Sequence, residues 1–266
     1  MSGKLSGKVA VITGGAGGLG KGIVQKFKEE GAEVILADFV EEAGQKTAGE
    51  LKAEFIKCDV TSRQDWEAVV KFAEEKFGRL DCVVNNAGWT YSNKVSWPAA
   101  VWGKRLRAYT WQSTNDVTDQ EYDKVFDVNV KSIFYSASVV VPYMQKKGNG
   151  GSFVTIASTA GIRPRGGLTW YNATKAAVIN ATKSMAVEYA KDNIRFNNVC
   201  PVVALGTGLT SSFLGKPENE KTFMATIPLG RGSTPKDIGN ACAFLCSPDS
   251  DFLTGIDVPV DGGRCV

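Results

Sequence analysis

The chain has 266 residues, 43% of them hydrophobic and 22% charged, with a net charge of +3. This is ordinary soluble globular composition, long enough for one large domain or two small ones, and its interspersed acids and bases exclude a nucleic-acid footprint. It holds no histidine, which removes Ser-His-Asp hydrolysis, HExxH metal chemistry and every histidine general base, leaving acid–base work to tyrosine, lysine or carboxylates.

The first element is KVAVITGG, a β-branched apolar run ending in glycines, the signature of a buried parallel strand. Helical text follows in LGKGIVQKFKEEGA with Gly31 as its stop, and a second strand, EVILADF, ends at Asp38. The alternation continues with a helix near 41–52, a strand AEFIKCDV, a helix near 62–77 and a strand LDCVVNNAG. Beyond an irregular segment come a helix over 119–146, the strand SFVTIAS, a helix after Tyr171, the strand IRFNNVCP and a terminal strand-like FLTGIDVPVDGG. Repeated β-α-β units predict an α/β fold, a doubly wound parallel sheet in a single domain. The six cysteines are scattered without metal-ligand spacing and no apolar stretch reaches membrane-spanning length, which predicts reduced core cysteines in a cytoplasmic protein.

Three pieces carry chemistry. The loop Thr13-Gly14-Gly15-Ala16-Gly17-Gly18-Leu19-Gly20 joins the first strand to the first helix, where absent side chains let a pyrophosphate approach the amides at a helix N-terminus. Asp38 ends the next strand; an acid there accepts from both ribose hydroxyls and repels a 2′-phosphate, so NAD is preferred over NADP. Ser158 closes the run SFVTIAS, and Tyr171 and Lys175, four apart, share one helix face. A hydroxyl, a phenol and an ammonium converging on one point suit proton transfer at a substrate oxygen.

With these pieces together, the chain resembles a short-chain dehydrogenase/reductase along nearly its whole length. The resemblance rests on the loop at 13–20, Asp59-Val60, Asn85-Asn86-Ala87-Gly88, Asn129 within VNVKS, Ser158, Tyr171, Lys175, the turn to Pro201 and Asp261-Gly262-Gly263. It implies a Rossmann fold and hydride exchange between NAD(H) and a secondary alcohol or ketone. Tyr171 is then the general acid/base, with a phenolate favoured by Lys175 and the cationic nicotinamide. Lys175 also holds the nicotinamide ribose, Ser158 bonds the substrate oxygen, and Asn129 anchors a relay water, unless it caps a helix bend. Gly14, Gly18, Leu19, Gly20, Asp38 and Phe39 belong to the cofactor site. So do Asp59 and Val60, flanking the adenine (Asp59 alone also reads as a turn residue), and Asn86, Ala87, Gly88, Pro201 and Val203. A homotetramer or dimer is implied as well. The rival from another class is a non-redox protein on this fold, a cyclase or a dinucleotide-sensing regulator.

Two departures stand out. After Pro201 the family's usual glycine is Val202, leaving the nicotinamide contact open among Val203, Ala204 and Leu205, and residues 208–227 are expected to form a substrate lid. Residues 95–112 carry three of the six tryptophans and the basic cluster Lys104, Arg105 and Arg107. Their removal restores the family's spacing, and Val-Ser and Gln admit codons like splice ends, so the segment reads as the product of an unspliced intron. An aromatic flap over the pocket is the competing reading. Trp89, Trp170, Arg163 and Arg165 are candidate pocket residues, with a buried aromatic or a solvated loop as the alternatives.

Overall fold

The structure is a computed structural model that describes residues 3–91, 112–205, 207 and 217–266. Most of the unusual segment (95–111) and the first part of the expected lid (208–216) lie outside the described residues.

Seven strands form one parallel sheet: β1 (Val9–Thr13), β2 (Glu33–Asp38), β3 (Glu54–Lys57), β4 (Cys82–Asn85), β5 (Gly151–Ile156), β6 (Ile194–Pro201) and β7 (Asp257–Val260). Their order is β3-β2-β1-β4-β5-β6-β7. The central strand β1 pairs on one side with β2 (Val11 opposite Ile35) and on the other with β4 (Val11 opposite Val83). Sequence order reverses here, so the loops leaving β1 and β4 diverge and open a crevice at the carboxyl ends of the strands.

The expected α/β architecture follows from burial on both faces. Ala10 and Ile12 of β1 pack into one layer with Ile23, Phe27 and Leu245, while Val9 and Val11 pack into the other with Trp66, Val69 and Met144. Each of the buried Val, Ile, Leu, Phe and Met side chains among them stabilises the fold by roughly 1.5–3 kcal/mol. The helices are α1 (Gly18–Glu29), α2 (Glu41–Leu51), α3 (Arg63–Phe77), α4 (Asp119–Phe126), α5 (Ser132–Lys147), α6 (Thr159–Ile162), α7 (Thr169–Tyr189), α8 (Pro217–Met224) and α9 (Pro235–Cys246).

The helix expected over 119–146 is in fact interrupted. α4 begins at a capping box between Thr118 and Glu121, and a π-turn over Asp127–Lys131 separates it from α5. Asn129 sits inside that turn and is buried. The helix carrying Tyr171 begins earlier than expected, at Thr169. Gln112, the last residue of the unusual segment, is built into the fold: its Nε2 donates to Asp116 O at 2.8 Å and to Glu121 Oε2 at 3.1 Å. Five cysteines are buried, Cys265 is half-buried, and all six are free. Among the described residues no helix is long and apolar enough to cross a membrane.

Candidate active site

The glycine loop is fixed from below by the loop after β4. Thr13 Oγ1 accepts from the amides of Asn86 and Ala87, each at 3.0 Å, and Asn86 Nδ2 donates to Thr13 O at 2.8 Å and Gly14 O at 3.1 Å. Gly14 has φ +64, a left-handed backbone that glycine adopts without strain. A Cβ on Gly20 would stand 2.0 Å from Gly14 O and 2.7 Å from Asn86 Nδ2, so this glycine lets α1 lie against the loop. A Cβ on Gly17, by contrast, would meet nothing within 4 Å. Gly17 is also the N-cap of α1, which has no side-chain cap. Gly17, Gly18 and Leu19 thus bring the positive end of the α1 dipole to the edge of a hollow, an environment that suits a phosphate.

Asp38 sits further along the same edge of the sheet, at the end of β2. One carboxylate oxygen accepts from Ala16 N and the other from Val40 N, both at 2.9 Å. A carboxylate offers about four lone pairs, so these two donors leave capacity for ribose hydroxyls. Phe39 beside it is 65% exposed.

The second half of the site is built by β5, the turn after it, and α7. Ser158 ends the β5 segment and caps α6, accepting from Ala160 N at 3.1 Å. Its hydroxyl also bonds the Tyr171 phenol, which pulls the phenol's pKa down; burial is the larger influence and pushes it up. Lys175 is only 6% exposed, and burial pushes its ammonium down to about 8. Its Nζ donates to Ile156 O at 2.8 Å and lies 5.7 Å from the centroid of the Tyr171 ring.

A hollow of about 340 Å³ runs between the two halves. Gly14, Gly18, Leu19, Asn86, Ala87, Gly88, Ser158, Tyr171, Lys175, Pro201 and Val203 all line it, as does Trp89. Val202, Ala204 and Thr207 line it too, whereas Leu205 is not among its walls. Gly20 supports the loop from behind, and Asp38, Phe39, Asp59 and Val60 lie outside the hollow, on the β2–β3 side of the sheet edge. Asp59 Oδ1 accepts from Thr61 N at 2.9 Å and Thr61 Oγ1 at 2.7 Å, so it builds the turn after β3. Asn129 does not reach the hollow either. Its Oδ1 accepts from Trp89 N at 2.8 Å, while its Nδ2 donates to Trp89 O at 2.9 Å and Thr174 Oγ1 at 3.1 Å. The side chain thus clamps the loop after Gly88 to α7, and a Cβ on Gly88 would approach both Asn129 Oδ1 (3.5 Å) and Lys175 Nζ (3.7 Å).

Trp170 turns away from the hollow and packs edge-on against Tyr122, with ring centroids 5.1 Å apart. Sequence reasoning missed the linking roles of Thr13 and Thr174, and of Tyr91, whose hydroxyl accepts from Trp170 N at 3.0 Å. Only Thr13 had a signal, its place at the head of the glycine motif.

Comparison with known proteins agrees with this fold. A family model described as enoyl-(acyl carrier protein) reductase matches residues 14–264. The chain is 41% identical to the 4-formylbenzenesulfonate dehydrogenase TsaC1/TsaC2 of Comamonas testosteroni, over 98% of each chain. It is 35% identical to galactitol 2-dehydrogenase of Agrobacterium fabrum, again over 98% of each. The crystal structure of 3-ketoacyl-(acyl-carrier-protein) reductase from Brucella melitensis, complexed with NADH, superposes with a TM-score of 0.86 at 34% identity, covering 98% of this chain and 100% of that one. The chain belongs to the short-chain dehydrogenase/reductase family. These relatives are dehydrogenases and reductases, which favours the redox reading over a regulator or cyclase on the same fold.

Proposed function

We propose that this protein is an oxidoreductase that exchanges a hydride between NAD(H) and a secondary alcohol or ketone, with Tyr171 as the acid–base group. The observation that carries the reading is that Ser158, Tyr171 and Lys175 form one end of the hollow whose other end is the glycine loop. The residues fit a dinucleotide. The uncapped α1 N-terminus and the open space at Gly17 suit the pyrophosphate, and the Asp38 carboxylate suits the adenine ribose. When bound, the nicotinamide supplies or takes up the hydride.

The chain's own groups handle the proton and the oxygen. Ser158 holds the substrate oxygen and stabilises the charge developing on it. Tyr171 gives that oxygen a proton in reduction and removes one in oxidation. A free phenol has a pKa of about 10, too high for a base at neutral pH, and burial raises it further. The oxidation direction therefore needs added positive charge beside the ring, which the Lys175 ammonium and a cationic nicotinamide provide. Asn129 acts through others, holding α7 against the loop that follows Gly88.

NAD is the preferred cofactor because Asp38 would repel a 2′-phosphate and Phe39 and Val40 after it carry no charge. We read the protein as cytoplasmic and homo-oligomeric, with Phe134 of α5 (58% exposed) and Val187 of α7 (83% exposed) as apolar surface suited to a second copy. Within the lid, the described part of 208–227 packs Phe223 and Ile227 on Val202, next to the hollow.

The test is an alcohol panel assayed for NAD⁺ and NADP⁺ reduction. Turnover is expected with NAD⁺, and Tyr171→Phe should lower kcat by about 10³-fold or more, at the upper end of general acid–base contributions, while NADH binding, read by tryptophan quenching, stays near wild type. Activity retained in Tyr171→Phe would show the acid–base group to be another residue. NADH binding with no turnover across the panel would favour the regulator.

A further inference from the structure

Tyr171 is the third residue of α7, in the turn whose amides find no partner within the helix itself. Such turns fray unless something caps them, and the usual cap is a Ser, Thr, Asp or Asn just before the helix. α7 has none of these. Its N-cap is Leu168, which makes no side-chain bond, and no acid lies in its first turn. The cap comes from the loop after β4 instead. The Tyr91 hydroxyl oxygen, carried on a buried ring, accepts from Trp170 N, the second amide of the helix, at 3.0 Å. Burial pushes the Tyr91 phenol's pKa up, while the amides of Trp170 and Tyr171 pull it down, so both amides bear on this one oxygen. The same loop also holds Tyr171 from its carbonyl side. Tyr171 O accepts from Thr174 Oγ1 at 2.7 Å, and Thr174 Oγ1 accepts from Asn129 Nδ2 at 3.1 Å, whose side chain brackets Trp89. Residues 89–91 therefore reach the backbone of Tyr171 twice, at its carbonyl through Asn129 and Thr174 and at its amide end through Tyr91.

We propose that Tyr91 is a positioning residue: by capping α7 from outside the helix, it sets where the Tyr171 phenol stands relative to Ser158. The inference rests on the reading of Tyr171 as the acid–base group. A phenol is a long lever on its backbone, so a small tilt of the first turn displaces the reacting oxygen by more than the backbone moves. A misplacement of about 1 Å costs on the order of 100-fold in rate. The competing role for Tyr91 is core filling, for which the ring alone suffices and phenylalanine would serve as well.

Tyr91→Phe keeps the ring and removes only the oxygen. With the panel alcohol that wild type turns over fastest, the first-turnover rate of NADH formation should fall about tenfold or more per NADH-binding site. The KM for NAD⁺ and the Kd for NADH should stay within about twofold of wild type, because the cofactor end is untouched. A first-turnover rate equal to wild type overturns the proposal. So does a loss of rate matched by an equal loss of NADH-binding sites, which marks a brace for folding. Amide hydrogen exchange adds an arm that needs no turnover and can be read on wild type alone. The Trp170 amide should be protected there, and Tyr91→Phe should speed its exchange about tenfold or more. A wild-type Trp170 amide that exchanges like an open helix end removes the cap and the proposal with it. Tyr171→Phe separates this inference from the reading beneath it. If that variant is inactive while Tyr91→Phe runs at the wild-type rate, only the positioning role falls. If Tyr171→Phe keeps its activity, the acid–base assignment falls, and the catalytic meaning of the cap falls with it.

Discussion

The two ends of the active-site hollow are built on different principles. At the glycine-loop end the walls are backbone, from Gly14, Gly17 and Gly18: behind them Gly20 meets Gly14 and Asn86 at distances where no Cβ fits, and Thr13 ties the β1 and β4 loops together. At the Tyr171 end the walls are side chains, projected from β5, α7 and the turn after β6, and held by scattered polar bonds. A backbone wall can be altered by a single methyl group. A side-chain wall tolerates changes of shape but stores its chemistry in burial and charge.

The largest effect that sharpens this contrast comes from two glycines three residues apart. Gly20→Ala puts a Cβ 2.0 Å from Gly14 O, a backbone atom that cannot move without shifting the loop. We expect a cost of about 3 kcal/mol, at the upper end for overpacking, and a Tm lowered by roughly 6–12 °C. Gly17→Ala meets no neighbour, and its φ of −160° is extended backbone open to any residue. Its Tm should stay within a few degrees of wild type, while NADH affinity falls about tenfold or more because the methyl occupies the hollow. Thermal melts and NADH fluorescence titrations separate the two. A Gly17→Ala protein that binds NADH normally would mean that the loop does not cradle the cofactor.

The same contrast explains what could be read from the sequence. Gly14, Gly18, Gly20, Asn86 and Asp38 are legible because backbone geometry dictates residue type at short spacing, and the β-α-β rhythm follows from two-sided burial of β-branched runs. Tyr171 and Lys175 are legible through the four-residue helical repeat. The links between segments are not: Thr174 meets Asn129 across 45 positions and Tyr91 meets Trp170 across 79, with no periodicity to announce either. Trp170 looked like a pocket residue because it neighbours Tyr171 in sequence, but successive helix positions point about 100° apart, and it faces Tyr122. The π-turn at Asp127–Lys131 left no trace in hydrophobic pattern.

A second, comparable effect probes the side-chain end. Lys175 keeps its proton up to about pH 8 in the folded protein, against 10.5 for its ordinary value, because burial penalises the ammonium. Between these values the unfolded chain binds more protons than the folded one, so stability rises with pH across the window. Below pH 8 the penalty is fully present, and the difference corresponds to roughly 3 kcal/mol. Lys175→Met should abolish the slope. In urea denaturation at pH 7 and at pH 10, wild type should gain up to about 3 kcal/mol relative to the variant. Parallel behaviour of the two proteins would mean that the ammonium is solvated, and that the catalytic end carries no such cost.

The smallest expected effect returns to the backbone-built end, where one side chain does matter. Asp38 takes the amides of Ala16 and Val40, so it shapes the loop, and it presents a negative charge where we propose the adenine ribose lies. Asp38→Asn keeps one carbonyl acceptor and the size of the side chain but removes the charge. Loss of a charge-assisted acceptor costs about 1.5–3 kcal/mol, part of it recovered by the amide. NAD⁺ should therefore lose about tenfold in kcat/KM, while NADP⁺ gains as the repulsion of its 2′-phosphate disappears. The NAD⁺/NADP⁺ ratio should fall by about 10–100-fold, read with one alcohol and both cofactors. An unchanged ratio would mean that cofactor choice is set by the surrounding backbone rather than by this carboxylate, so that the glycine-loop end works through backbone alone.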